Sequence, residues 1–123
     1  MYTRKEATME ERRHLSRKYL IVYSRVFERT LGKLLGYLAD LSLEGAMIIS
    51  EDKLTVDTLM SLRFDLPDAN AFDSNSFNLP ARVARCDPDI SPGFYNIGFE
   101  FQEVTEEQKS IIRKMMDIYE FRR

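Results

Sequence analysis

The chain has 123 residues, 44% of them hydrophobic, which suits one globular domain with an ordinary core and leaves no room for a second. A net charge of −2 and a pI near 5.5 exclude the broad basic face that gives general affinity for DNA, RNA or anionic membranes, so any anion site must be local. The single cysteine, Cys86, cannot form an internal disulfide, and the absence of long apolar runs and of an apolar opening predicts a cytoplasmic protein without membrane insertion.

Residues 1–18 carry six basic and three acidic side chains and few large apolar ones, too little to fold alone, and are expected to form a flexible N-terminal arm. The remainder, 19–123, is expected to be a single domain. "YLIVYSRVF", Tyr19 to Phe27, is rich in β-branched and aromatic residues and predicts the first strand. The glycine of "ERTLGK" supplies a turn, after which "LLGYLADLS" and "LEGAMIIS" predict two more strands. "TLMSLRFDLP" alternates with a period of two, and Met60, Leu62, Phe64 and Leu66 should face the core.

"DANAFDSNSF" mixes turn residues without an apolar period and predicts a surface loop. "FNLPARVARC" and "GFYNIGFEF" then predict a strand pair joined by "DPDISPG", whose glycine tolerates a positive φ; Pro80 inside the first of the pair points to an edge or a bulge. From Thr105 the period changes. Thr105 and Gln108 have capping-box spacing, and Ile111, Ile112, Met115, Met116 and Tyr119 recur at helical spacing, which predicts an amphipathic helix over 105–121 with Arg122 and Arg123 at its negative end. Six strands at hairpin spacing and one helix predict a mainly β fold, a small antiparallel barrel with the helix packed on it.

Catalytic chemistry has little to work with. His14 is the only histidine and Cys86 the only thiol, and neither a Ser-His-Asp order nor a phosphate-cradling glycine loop occurs, so no enzyme is expected. His14 has no companion ligand at metal spacing and reads as a solvated arm residue. Cys86 reads as a small buried hydrophobe, and Met115 and Met116 as core filler.

Two short stretches remain. In "ERRHLSR", Arg13 and Arg17 stand four apart and point to one side of an extended or helical chain; the planar guanidinium fork matches phosphate oxygens or the O6/N7 edge of guanine. In "DLSLEG", Asp40 and Ser42 are two apart and share a face if extended, with Gly45 permitting a tight turn. A carboxylate can accept from the donors of a guanine Watson-Crick edge, and a hydroxyl can serve a phosphate or a base nitrogen. The same residues also suit an ordinary Asx or Ser/Thr turn bonded to local backbone.

Taken together, RxxxR before the first strand and DxSxxG between the second and third resemble the signatures of the PilZ domain family, with Arg13, Arg17, Asp40, Ser42 and Gly45 at all five specified positions. "YNIGFEF" resembles the family's late Tyr, Gly and Phe pattern. The resemblance runs from Glu11 onward and implies a six-stranded barrel with a C-terminal helix, and a bacterial second-messenger receptor for cyclic di-GMP with no catalysis and no cofactor. It implies that Arg13 and Arg17 grip phosphate and guanine, that Asp40 and Ser42 read a guanine edge, and that Gly45 holds the turn. It also implies that Arg12, just ahead of the pair, favours a stacked pair of ligand molecules per chain, and that the ordered arm relays the signal to an unnamed protein partner. An adaptor of the same fold that binds a protein and not the nucleotide is the alternative; an oligonucleotide-binding barrel would need a basic groove with stacking aromatics.

Overall fold

The computed structural model describes residues 24–66, 72 and 75–119. The expected arm, with Arg12, Arg13, His14 and Arg17, and the opening of the expected first strand, Tyr19 to Tyr23, lie outside these residues, as do Arg122 and Arg123. Six strands, β1 (Arg25–Glu28), β2 (Lys33–Leu41), β3 (Gly45–Ser50), β4 (Leu59–Asp65), β5 (Ser76–Pro88) and β6 (Tyr95–Phe101), precede one helix, α1 (Glu106–Tyr119). They form the predicted barrel, closed and antiparallel in the order β1-β2-β3-β6-β5-β4. Closure comes from β1, where Val26 is opposite Gly36 on one side and Phe64 on the other.

The alternation read in β4 holds: Leu62 and Phe64, and Leu66 just beyond the strand, are buried, and Met60 packs partly against them. Inward residues of the other strands meet them, among them Val26, Ile48, Leu79, Val83 and Ile97, all fully buried. Phe64 lies at the centre of an aromatic cluster, stacked on Phe77 at 5.9 Å and edge-on to Phe101 at 6.2 Å between centroids. Ile112 and Met115 of α1 complete the same core with no exposed surface, which bears out Met115 as filler. The capping box is reciprocal, since the Gln108 N–H donates to Thr105 Oγ1 at 3.1 Å and the Thr105 N–H to Gln108 Oε1 at 2.8 Å.

Both glycines expected in turns are there with positive φ, Gly32 at 67° between β1 and β2 and Gly93 at 87° between β5 and β6, the latter as its tolerance of that angle suggested. Three expectations need correction. Phe72, in the stretch read as surface loop, is buried in the core, with the Lys114 ammonium of α1 5.7 Å from its ring centre. Cys86 packs against the core but stays half-exposed. Pro80 sits on no edge strand: it is opposite Ser61 within the β4–β5 ladder. Its carbonyl turns the other way, accepting the Gln102 N–H at 2.9 Å. The N–H that proline lacks would point the same way, past Ala81–Phe101, where the β5–β6 ladder has ended.

Candidate ligand-binding surface

The hairpin from Asp40 to Gly45 is built by three local devices. The first is a β-bulge between Leu38 and Asp40, with Ala39 as the extra residue. Leu41 is buried, so Asp40 and Ser42 on either side of it turn to the outer wall. Asp40 is half-buried there, and its Oδ1 accepts the Leu41 N–H at 2.9 Å.

The second device is the Ser42 hydroxyl. Its oxygen lies 3.2 Å from the N–H groups of both Glu44 and Gly45, and the Ser42 N–H donates to the Gly45 carbonyl at 2.9 Å. Of the two possibilities the sequence allows for Ser42, the structure realises the local turn. The third is Gly45, and the physical reason for it differs from the expected one. Its φ is not positive; instead, a Cβ there would fall on the carbonyl oxygen of Phe99, so glycine is what lets β3 run this close to β6.

Among the described residues, strand register then places Asp40 at one end of a row that crosses four strands: Asp40 opposite Met47, Met47 opposite Gly98, Gly98 opposite Arg85. A second bulge, between Val83 and Arg85 with Ala84 as the extra residue, marks the other end. The Arg85 stem lies over Gly98, its Cγ 3.3 Å from where a Cβ would stand. The Arg85 side chain is 66% exposed and pairs with the Asp87 carboxylate only at 3.5 Å. Sequence reading missed Arg85, although a signal was available. Phe77, Leu79, Ala81 and Val83 alternate inward, so an unbroken period of two would bury an arginine at 85. The charge at that position announces the bulge.

Other arginines on the barrel are engaged differently. Arg82 donates from Nη1 to Asp57 Oδ1 at 2.6 Å and from Nη2 to Glu100 Oε1 at 2.7 Å, and these bonds raise its pKa further above its ordinary value. They also fasten Asp57, a non-glycine residue at φ 75°, whose N–H donates to the Val83 carbonyl at 2.7 Å. The Arg63 guanidinium lies 4.1 Å over the Phe27 ring, and Arg25 pairs with Asp65 at 2.8 Å. Among the described residues no group of three or more His, Cys, Asp or Glu could hold a metal ion, and no helix is long and apolar enough to cross a membrane. Arg12, Arg13 and Arg17 lie outside the described residues, so Asp40, Ser42 and Gly45 are the signature positions whose geometry is seen.

Residues 10–117 match the PilZ domain family. No curated protein sequence matches the chain. Among solved structures, the PilZ domain with c-di-GMP of YcgR from Escherichia coli is similar at a TM-score of 0.64 and 15% identity, over 80% of this chain and 81% of that one. YcgR in complex with c-di-GMP, from Escherichia coli, is similar at 0.59 and 17% identity, over 80% of this chain and 41% of that chain. The inhibitor of motility MotI/DgrA from Bacillus subtilis follows at 0.60 and 13%, over 80% of this chain and 46% of that chain. The chain thus spans less than half the length of these last two, and at such identities the likeness is one of fold.

Proposed function

The chain belongs to the PilZ domain family, and from that premise we propose that it is a receptor for cyclic di-GMP, in which the RxxxR arm and the DxSxxG hairpin clamp the dinucleotide. The observation that carries the reading is the Asp40–Gly45 hairpin. A bulge and a glycine-dependent strand approach are spent on holding a half-buried carboxylate on the outer wall, at the end of the segment that enters the family signature. Asp40 accepts from the guanine Watson-Crick edge, and Ser42 keeps the turn in shape and turns its proton, held only by a long 3.4 Å bond to the Gly45 carbonyl, to the ligand. Arg13 and Arg17 supply forks for phosphate and the O6/N7 edge, and Arg12 neutralises and stacks on a second ligand molecule. Ordering of the arm on binding presents a new surface to a protein partner, at a cost subtracted from the affinity. The presence of c-di-GMP on the structurally similar YcgR PilZ domain supports the same reading.

Calorimetric titration with cyclic di-GMP, its linear dinucleotide and GMP tests this. The cyclic ligand should bind tightest and saturate at two molecules per chain, falling to one in Arg12→Leu. Arg13→Ala and Arg17→Ala should each weaken binding by roughly 1.5–3 kcal/mol with an unchanged circular dichroism spectrum, the scale of a charge-assisted hydrogen bond. A folded parent that binds none of the three is instead the nucleotide-independent adaptor.

A further inference from the structure

We infer that Arg85 is a further ligand-binding residue of this surface, its guanidinium stacking on a purine of the nucleotide from the side opposite Asp40. The inference rests on the cyclic di-GMP reading and extends the site across β3 and β6 to β5, beyond the residues of the two signatures.

The argument begins with the paired bulges. A bulge sacrifices regular pairing to re-aim a side chain, and such features concentrate beside functional sites. Here one extra alanine, Ala39, precedes Asp40, and another, Ala84, precedes Arg85. Among the described residues both bulges stand at the ends of the same outward row, so two irregularities serve one strip of surface. At the usual strand spacing of about 4.8 Å, three steps set the backbones of Asp40 and Arg85 roughly 14 Å apart, enough for a purine between them once both side chains reach inward. The middle of the strip is shaped for this: Met47 contributes a polarisable thioether, and Gly98, lacking a side chain, leaves its place to the Arg85 side chain, whose Cγ, Cδ and Nε lie over it.

Arg85 is also prepared for the role. With its stem resting on Gly98, the planar head is held at the level of anything lying on the strip. Its one ion pair among the described residues, to Asp87, is long and exposed on both sides, so little is lost when the guanidinium turns to a base. Arg82, three residues earlier, has its fork occupied by two carboxylates and cannot serve in the same way. A guanidinium over a purine gains from both stacking and cation–π attraction, and a lysine ammonium would reproduce only part of that.

The test is a titration of the full chain with cyclic di-GMP. Arg85→Ala should weaken binding about tenfold, and Arg85→Lys should fall between it and the parent. Gly98→Ala displaces the Arg85 stem by a few tenths of an ångström, and should weaken binding in the parent while adding nothing in the Arg85→Ala background. Since residues in contact couple in stability as well, the unfolding midpoint of Arg85→Ala is measured alongside, and a ligand contact leaves it near the parent's while the affinity falls. Arg82→Ala should bind as the parent does. If Arg85→Ala binds as tightly as the parent, or if the Arg85 and Gly98 losses simply add, Arg85 is no ligand contact and the receptor reading stands without it. A parent that binds no cyclic di-GMP overturns both.

Discussion

Arg82 and Arg85 lie three residues apart on β5, both on the outer wall, yet the fold treats them in opposite ways. Arg82 is opposite Glu100, and its fork is filled by Glu100 and Asp57, which fastens a residue of unusual backbone angle to the sheet. Arg85 is opposite a glycine, mostly exposed, with one loose partner among the described residues. The difference is a general one: where a polar side chain's bonding capacity is consumed by neighbours it serves the fold, and where a bulge turns it outward with only a weak partner it can turn to a ligand. On this wall the first class includes Arg82 and Glu28 and the second Arg85, while Asp40, turned outward by a bulge but with its Oδ1 holding the Leu41 N–H, belongs wholly to neither. Ser42 and Gly45 stand on the border, since they shape the strip and hold the sheet together.

Substitution on that border should have the largest effect. Gly45→Val places a side chain against the Phe99 carbonyl, so β3 and β6 must part. We expect a loss of about 2–3 kcal/mol in chemical denaturation, the usual range for overpacking, accompanied by loss of ligand binding. A variant of parental stability would show that the strands separate cheaply and that glycine answers some other need.

Asp40→Ala sharpens the comparison from the ligand side. Removing the acceptor leaves guanine donors unpaired in the complex and should cost roughly 1–3 kcal/mol of cyclic di-GMP affinity, with selectivity over cyclic di-AMP shrinking. Parental selectivity in this variant would remove Asp40 from the reading. Ser42→Ala should act on both sides of the border. Its oxygen accepts two backbone N–H groups of the turn, so we expect about 1 kcal/mol lost in stability in addition to a comparable loss in affinity.

Much of the scaffold was legible because the responsible forces are local. The period of two in "TLMSLRFDLP", the capping box of Thr105 and Gln108, and the turn glycines Gly32 and Gly93 each reflect geometry set within a few residues. What could not be read depends on partners distant in sequence. Phe72 is buried because the core receives it, although its neighbours look like loop. Gly45 is explained by a carbonyl 54 residues away at Phe99, and the strip from Asp40 to Arg85 exists only through the register of four strands. The two bulges lie between these cases. Each breaks an alternation that is visible in the sequence, but the break gains meaning only when both are seen to end one row.

Arg82→Ala should have a smaller effect than any of these. The ion pairs it loses are exposed, so thermal unfolding should shift slightly downward, and the shift should shrink further in high salt. Ligand affinity should not move. A large fall in affinity with little change in stability would place Arg82 in the ligand class and erase the contrast with Arg85.

The smallest effect belongs to Glu28, at the β1–β2 turn. Its Oε1 accepts the Leu31 N–H at 2.7 Å, and that bond holds its carboxyl below the ordinary value of 4.5. A carboxyl with a depressed folded pKa binds protons more readily in the unfolded chain, so its contribution is complete above about the unfolded pKa. It is lost as pH falls through the lower folded value. Unfolding midpoints followed from pH 6 to pH 3 should therefore show a slightly shallower acid decline in Glu28→Gln than in the parent, with the two differing at pH 6 and converging at low pH. Since Glu28 lies half-exposed at the barrel surface, where solvent screens it, the difference is small, and ligand affinity at neutral pH should be unchanged. If the variant instead loses affinity at neutral pH, the β1–β2 turn takes part in binding, and the boundary between fold-serving and ligand-serving side chains extends to the far side of β2.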